Sequence, residues 1–287
     1  MKTVTVLSGK GGVGKSSITA SLAVVLSEKR KIVCADCDVD ASNLSLVLGA
    51  NQREWKPIST NQKAEFDLSK CTSCRKCIDS CFFDAIEWVD NRPKLKEFGC
   101  EGCGVCSIVC PEGAVSEREV ENARMGYAET GYGFDVVSAQ LNIGESGSGK
   151  IVSEVKKRVM NMADKADIIL IDSAAGIGCP VIASVTGSDY VIVVTEPTPS
   201  AFSDMKRALE VVDHFRIPYG IVINRHDINP GFTEGIESFA KEKGIDILAR
   251  IPYDRAFVEA LVNLTPAVVQ KKGLKPIFEG IAERIGI

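Results

Sequence analysis

The chain has 287 residues, of which 45% are hydrophobic and 25% are charged, enough apolar material for one large domain, or for one domain with a small insertion. This composition excludes a disordered, collagen-like or coiled-coil architecture. The 38 acidic residues outnumber the 34 basic ones, which argues against a nucleic-acid-binding protein with a broad basic face. The chain contains eleven cysteines but only two histidines, so the cysteines are the first candidates for a functional site.

The beginning of the chain indicates the compartment and therefore the state of these cysteines. No charged segment, apolar run and cleavage site precede the first predicted strand. No apolar run reaches the roughly 18 residues that a transmembrane helix needs. We therefore expect a cytoplasmic protein without stable membrane insertion. Cytosolic thiols stay reduced, so the cysteines are expected to hold metal rather than each other.

Strands and helices alternate in the first part of the chain. Residues 2–7 (KTVTVL) predict a buried strand, followed by a glycine-rich loop and a helix that extends to about Arg30. Residues 31–37 (KIVCADC) predict a second strand, and residues 38–48 a loop and a short helix. This order is typical of the start of a parallel α/β sheet.

The alternation stops in a cysteine-rich region and then resumes. Residues 125–150 are rich in glycine and predict no clear element. Beyond them we expect helices at about 151–162, 203–215, 233–243, 257–263 and 274–285, and strands at 167–171, 190–195, 219–223 and 247–251. The sequence thus predicts a doubly wound α/β domain, with a mainly parallel sheet, over residues 1–57 and 119–287. A small α+β domain is expected to be inserted over residues 58–118.

The first glycine-rich loop fits a phosphate-binding motif. Gly9-x4-Gly14-Lys15-Ser16 matches G-x-x-x-x-G-K-[ST] and lies between a predicted strand and a predicted helix, as the motif requires. The glycines let backbone N–H groups surround the phosphates. The lysine neutralises the β- and γ-phosphates, and the serine hydroxyl ligates Mg²⁺. A second match, Gly144-x4-Gly149-Lys150, lacks the hydroxyl because Ile151 follows it; we interpret it as a flexible loop whose Lys150 has an open role.

The residues in and after the first loop resemble those of the MinD/ParA/Mrp superfamily, to which the nitrogenase iron protein also belongs. Lys10 inside K-G-G-V-G-K-S resembles the extra lysine of the deviant Walker A motif, and Asp36-Cys-Asp38 and Asp172-Ser-Ala-Ala-Gly176 resemble its two switches. Asn224-Arg225 and the turn Ile251-Pro252-Tyr253-Asp254 resemble its adenine-binding positions.

The resemblance implies an ATPase that uses ATP and Mg²⁺. It implies catalytic roles for Lys10, Lys15, Asp38 and Asp172, and Mg²⁺ ligation by Ser16, Asp38 and Asp172. Nucleotide-binding residues are then Gly9, Gly11, Gly12, Val13, Gly14, Lys15, Ser16, Ser17, Asn224, Arg225, Pro252 and Asp254. It also implies an ATP-dependent homodimer, or a heterodimer with a paralogue, in which Lys10 reaches the partner's nucleotide. The spacing does not decide whether Asp38 or Asp40 orients the attacking water.

Eight cysteines form two runs with iron–sulfur spacing. Cys71-x2-Cys74-x2-Cys77-x3-Cys81 is followed by Cys100-x2-Cys103-x2-Cys106-x3-Cys110-Pro111, the pattern of bacterial two-cluster ferredoxins, in which the fourth cysteine ligates the other cluster. The predicted ligand sets for the two [4Fe–4S] clusters are Cys71, Cys74, Cys77 and Cys110 for the first, and Cys81, Cys100, Cys103 and Cys106 for the second. Phe82 stands where the first run would normally have proline.

Other interpretations of the cysteines are weaker. A zinc ribbon needs four ligands from two C-x2-C pairs, and each run here offers four cysteines at the iron–sulfur spacing. Cys34 and Cys37 lie in a predicted strand, where residues three apart face opposite sides, so we interpret them as buried apolar residues. Cys179 follows the second switch, and a redox or cluster-transfer role for it stays open.

The whole chain resembles MinD-superfamily ATPases that contain an inserted ferredoxin domain. The prediction is a Mg-ATP-hydrolysing iron–sulfur protein that couples nucleotide state to electron transfer, with a redox or metal-cluster protein as partner and no nucleic acid. One alternative is an assembly or carrier factor for iron–sulfur or mixed-metal clusters. Another is a MinD/ParA-like regulator with redox-sensing clusters.

Overall fold

Eleven strands and eleven α-helices make up the computed structural model, which describes residues 1–164 and 166–287. The strands are β1 (Lys2–Ser8), β2 (Ile32–Cys37), β3 (Asn51–Phe66), β4 (Ile86–Val89), β5 (Arg92–Leu95), β6 (Val115–Glu129), β7 (Asp135–Leu141), β8 (Ile168–Ala175), β9 (Tyr190–Thr195), β10 (Tyr219–Asn224) and β11 (Asp246–Ile251). The helices are α1 (Lys15–Ser27), α2 (Leu44–Val47), α3 (Lys76–Asp79), α4 (Val105–Ile108), α5 (Ser148–Met162), α6 (Cys179–Val185), α7 (Pro199–His214), α8 (Pro230–Lys243), α9 (Ala256–Val262), α10 (Ala267–Gln270) and α11 (Lys275–Arg284).

Nine of these strands form one sheet in the order β11-β10-β9-β1-β8-β2-β7-β6-β3. The seven strands from β11 to β7 are parallel, whereas β6 and β3 are antiparallel to their neighbours. The predicted mainly parallel α/β fold is therefore confirmed. In the described part of the chain, no helix combines the length and the apolar character that crossing a membrane would require.

Helices cover both faces of the parallel strands. In β9, Ile192 and Val194 pack in one cluster with residues of α1 and α11, such as Phe278. The alternate residues Val191 and Val193 pack in a second cluster with α7, because successive side chains of a strand point to opposite faces. Burial on both faces explains why these strands are nearly continuous apolar runs.

The two antiparallel strands β3 and β6 form a long ribbon. They pair from Asn51 with Glu129 to Phe66 with Val115. β6 also pairs with β7 over 123–129, so the base of the ribbon extends the central sheet. Residues 67–114 lie between the paired ends at Phe66 and Val115, so the predicted boundaries at 58 and 118 fall inside the ribbon.

The cysteine-rich segment at the end of the ribbon has two similar halves. Each half contains a one-turn helix, α3 or α4, and α3 is followed by the hairpin of β4 and β5. The segment therefore contains two one-turn helices and one short hairpin, with little other regular structure.

Candidate nucleotide and iron–sulfur sites

The glycine-rich loop joins β1 to α1 at the carboxyl edge of the sheet. Gly12 and Gly14 have φ angles of 82° and 93°, a region that glycine adopts without strain. A Cβ atom on Gly14 would lie 2.4 Å from the Asn224 amide nitrogen. That amide donates a hydrogen bond of 2.8 Å to the Val13 carbonyl, so β10 holds the loop in place.

A cleft of about 610 Å³ opens beside this loop. It brings together most of the predicted nucleotide-binding positions from distant parts of the chain. These lining residues are Gly11, Gly12, Gly14, Lys15, Ser16, Ser17, Asp38, Asn224, Arg225, Pro252 and Asp254. The volume is within the range of small-molecule sites. Gly9 and Val13 lie behind the lining: Gly9 packs so closely on α7 that a Cβ atom would be 2.1 Å from the Asp204 carbonyl oxygen, and Val13 is buried.

Lys15 and Asp172 form a buried ion pair at the floor of the cleft. The Lys15 Nζ and Asp172 Oδ1 atoms are 2.9 Å apart, and the side chains are 7% and 1% exposed. Burial by itself disfavours the ammonium, but Asp172 and then Asp36 outweigh it, and the pKa of Lys15 is raised. Thr19 also donates to Asp172 Oδ1 at 2.9 Å. Among the described residues, Asp172 Oδ2 is buried without a hydrogen-bond partner, which leaves it able to face a metal ion or its water.

Asp36 is a buried carboxyl that the sequence interpretation placed only at the first switch. It is fully buried in β2 and opposite Asp172 in the register of β2 with β8. Burial, followed by the charge of Asp172, raises the pKa of Asp36 to about 7. Its oxygens accept hydrogen bonds from the Asp38 and Leu44 backbones and the Ser42 hydroxyl, at 2.7–3.1 Å. Asp36 therefore organises the loop that carries Asp38. A carboxylate within an otherwise apolar strand was the signal for it.

The remaining charged candidates occupy different places. Asp38 lines the cleft, and burial, opposed by Lys15, raises its pKa. Asp40 is exposed and does not line the cleft. Lys10 is directed toward the start of α7, where it donates to the Ser200 hydroxyl at 2.9 Å. Lys150, in the first turn of α5, is exposed and lies outside the cleft.

The far side of the cleft is held by ion pairs and an apolar wall. Arg225 pairs with Glu196 at 2.8 Å. Asp254 pairs with Lys271 at 2.6 Å and caps the following turn by accepting from the Ala256 N–H at 2.9 Å. The apolar lining comes from α2 and α9 and the residues that follow them: Leu46, Val47, Phe257, Val258, Leu261 and Leu264. Such a wall suits the face of a base, next to the polar phosphate end.

The eight cysteines of the inserted segment line two small cavities. One cavity is lined by Cys71, Cys74, Cys77 and Cys110. The other is lined by Cys81, Cys100, Cys103 and Cys106. We call them the tip cavity and the base cavity, because the tip cavity touches Phe66 and Val115 at the end of the ribbon whereas the base cavity touches Ala64 and Glu117. Each set of four is the set that the spacing predicts for one cluster.

The thiols of each set influence one another. Burial, and then the nearby Cys100, raises the pKa of Cys106 to about 11, and burial likewise raises the pKa of Cys77. Within residues 1–164 and 166–287, no three histidine, cysteine, aspartate or glutamate side chains are grouped closely enough to hold a single metal ion. The four thiols of each set therefore line a common cavity rather than converge on one point.

Residues 142–150 contact both the cysteine-rich segment and the residues that follow the second switch. A Cβ atom on Gly144 would lie 2.0 Å from the Phe98 ring, and one on Gly149 would lie 3.0 Å from Cys179. Lys63 of the ribbon pairs with Glu145 at 2.6 Å, both side chains being largely buried. The segment thus touches the base-cavity region at one end and the residues after the second switch at the other.

Comparisons with known proteins place the chain in a nucleotide-binding family. Residues 4–266 match the family described as the CobQ/CobB/MinD/ParA nucleotide binding domain. An uncharacterised protein of Methanocaldococcus jannaschii is 38% identical over 227 residues, 79% of each chain. The septum site-determining protein MinD of Bacillus subtilis is 24% identical, over 98% of this chain and 88% of its own.

A solved structure shares the fold. MinD of Pyrococcus horikoshii complexed with Mg-ADP superimposes with a TM-score of 0.62 at 22% identity, covering 99% of this chain and 96% of that one. The fold that places the cleft at the carboxyl edge of the parallel strands is therefore shared with a protein that holds Mg-ADP.

Proposed function

This chain belongs to the CobQ/CobB/MinD/ParA nucleotide-binding family, which includes ATP-binding P-loop ATPases, and we propose that it couples its nucleotide state to electron transfer through two [4Fe–4S] clusters. The observation that carries the proposal is the division of eight cysteines into two cavities of four. Both cavities lie on a ribbon that continues the nucleotide-binding sheet. When bound, the clusters supply one-electron redox chemistry.

In the proposed ATPase site, each residue has a role that its position supports. Lys15 turns from Asp172 toward the β- and γ-phosphates, while the Ser16 hydroxyl and Asp172 face Mg²⁺ or its waters. Asp172 suits this role because its Oδ2 atom is buried without a partner among the described residues. Asp38 holds the attacking water, since it lines the cleft whereas the exposed Asp40 does not.

The proposed active form is an ATP-dependent dimer. Lys10 does not line the cleft of its own chain but lies at the surface beside Ser200. From there it is available to the nucleotide of a second chain, as the deviant Walker A interpretation requires. Arg225, Pro252 and Asp254 then border the adenine, together with the apolar residues of α9.

The proposed coupling has a physical route through residues 142–150. The γ-phosphate acts on the second switch, which begins at Asp172 and ends at Gly176. Cys179, at the start of α6, contacts Gly149 at the start of α5. Gly144 in the same segment contacts Phe98, which precedes Cys100. A displacement of the switch that is passed along this segment would change the surroundings of the base cavity.

The first experiment tests the clusters. Anaerobically purified protein should contain about eight iron atoms and eight acid-labile sulfides per chain, four of each per predicted ligand set. Cys74→Ser should abolish the tip cluster and Cys103→Ser the base cluster, with the other cluster retained in each variant. Zinc without labile sulfide would overturn the iron–sulfur proposal and leave the ATPase untouched.

The second experiment tests the coupling. Potentials of the loaded protein should be measured by EPR-monitored titration without nucleotide, with ADP and with a non-hydrolysable ATP analogue. A coupling free energy of about 1–3 kcal/mol corresponds to about 40–130 mV for one electron. Linkage requires the oxidised and reduced proteins to differ in ATP affinity by the same factor. Potentials, transfer rates and affinities that do not change with nucleotide would refute the coupling.

A second candidate function is a MinD/ParA-like regulator whose clusters sense redox state. The comparisons favour it, since MinD of Bacillus subtilis matches over 98% of this chain. A regulator predicts ATP-dependent assembly that changes with cluster oxidation, without electron delivery to a partner. The assembly or carrier alternative predicts transfer of whole clusters to an acceptor protein. Following iron-57 and electrons separately after mixing with a partner captured under anaerobic conditions distinguishes the three.

A further inference from the structure

The tip and base cavities share one backbone plan. Ser73 and Arg75 in the first half have φ angles of 62° and 66°, and Gly102 and Gly104 have 67° and 74° at the matching positions. In each half one backbone N–H donates to a cysteine sulfur: Ala85 to Cys81 at 3.3 Å and Ala114 to Cys110 at 3.2 Å. Each cavity also includes one exposed cysteine. Hydrogen bonds to sulfur and solvent exposure are therefore nearly equal for the two cavities.

The charges around the cavities are not equal. The charged side chains that line the tip cavity are Arg75 and Glu112, with a net charge of zero. Those that line the base cavity are Glu101 and Glu117, with a net charge of −2. The lining of the base cavity is therefore more negative than that of the tip cavity by two charges.

Two of these side chains are placed by specific contacts. The Arg75 guanidinium lies over the Trp88 ring, 5.2 Å from its centroid, and both residues line the tip cavity. Arg75 keeps a left-handed backbone that suits glycine better. At the matching position in the base half, a Cβ atom on Gly104 would lie 2.8 Å from Glu117 Oε1, and Ser107 holds the same oxygen through a hydrogen bond of 2.7 Å. The Glu117 carboxylate thus lies beside Gly104, whereas the tip half carries the Arg75 cation at the matching position.

We propose that Arg75 and Glu117 give the two clusters different reduction potentials, the tip cluster having the higher potential and the base cluster the lower. This inference rests on the proposed function. Each cluster gains or loses one electron, and reduction adds negative charge, which nearby carboxylates oppose and a nearby guanidinium favours. A low-potential one-electron donor therefore supplies the first electron to the tip cluster and the second to the base cluster. In the singly reduced protein the electron resides away from the nucleotide half.

The test is an EPR-monitored redox titration of the loaded protein at low salt, with dithionite as reductant. The wild type should show two one-electron steps whose midpoint potentials differ by at least about 59 mV. This difference corresponds to a tenfold ratio of the equilibrium constants for reduction. Glu117→Gln should raise the lower step, and Arg75→Gln should lower the upper step, so that each narrows the gap. Glu119→Gln is the matched control, because Glu119 lies on the same strand and lines neither cavity. Since the charges are exposed, high salt should also narrow the gap.

The outcomes separate this inference from the proposed function. Protein without labile sulfide overturns both. Protein with two clusters but a single, unresolved step in the wild type overturns only the assignment of different potentials. Two steps that neither Glu117→Gln nor Arg75→Gln moves, or a gap that either variant widens, overturn the role of these side chains. Iron content must stay equal between each variant and wild type, so that a shifted step reports charge rather than cluster loss.

Discussion

Replacing Asp36 by asparagine should change how the stability of the nucleotide-free protein depends on pH. The Asp36 carboxyl is fully buried, and burial, followed by the charge of Asp172, raises its pKa to about 7. In an unfolded chain an aspartate titrates near pH 4, at about 3.9. Between these two pH values, the Asp36 carboxyl keeps its proton in the folded protein and has lost it in the unfolded chain.

The sign and size of the effect follow from proton linkage. Because the folded state binds more protons in this window, the contribution of Asp36 to the free energy of unfolding falls as pH rises from about 4 to about 7. It does not change further above about pH 7. The slope is at most about 1.4 kcal/mol per pH unit, so the whole interval is worth at most about 4 kcal/mol. Asparagine carries no titratable proton and removes this slope, while its carbonyl oxygen can still accept the Leu44 N–H.

The assay is urea unfolding followed by far-UV circular dichroism between about pH 5 and about pH 8. Over the lower two pH units, the free energy of unfolding of wild type relative to Asp36→Asn should fall by about 2–3 kcal/mol. Asp40→Asn is the control, because Asp40 is exposed, and it should keep the wild-type slope. A difference between wild type and Asp36→Asn that is constant across this range would refute the reasoning.

Three further predictions concern single side chains. Lys10→Ala should weaken ATP-dependent dimerisation, measured by light scattering, with little change in ADP binding by the monomer; unchanged dimerisation would contradict a role across the dimer. Asp38→Ala should retain ATP binding but lose hydrolysis by about 100-fold or more, whereas Asp40→Ala should hydrolyse ATP at nearly the wild-type rate, and the reverse result would exchange their roles. Gly102→Ala should lose about four of eight iron atoms, because its Cβ would lie 2.1 Å from the Gln62 carbonyl oxygen at a positive φ; full iron content would contradict this.

The parts of the fold that were predictable are those whose burial leaves a pattern. Strands β1, β8 and β9 are apolar runs because helices cover both faces. The phosphate-binding loop could be recognised in the sequence because its conformation requires glycine at Gly12 and Gly14, where other residues would be strained. The carboxyl ends of parallel strands meet at one edge, so Asp38 and Asn224 could be expected in one cleft.

The ribbon could not be predicted from an alternation of apolar and polar residues. Most residues of β3, such as Glu54, Lys56 and Ser59, are exposed or partly exposed, so no apolar face distinguishes the strand from a polar loop. Its pairing with β6 depends on contacts between residues about 50 to 80 positions apart in the chain, from Phe66 with Val115 outward to Asn51 with Glu129. The second glycine-rich match was interpreted as a loop, whereas its last residues, from Ser148, form the start of α5, and Gly147 is the N-cap of that helix. The start of this helix lies beside Asn61 and Cys179, which are distant in the sequence and therefore leave no local signal.

The pairing of Phe66 with Val115 has a consequence for how such a protein could arise. The two chain ends that enter and leave the cysteine-rich segment are neighbours on one antiparallel ladder, so a tight turn could join them without disturbing the strands below. Because the two strands can pair with or without the segment between them, this end of the ribbon tolerates a genetic insertion. A hairpin of a nucleotide-binding fold can thus accept a cysteine-rich segment in one event, because the two positions where the segment enters and leaves are already neighbours in space.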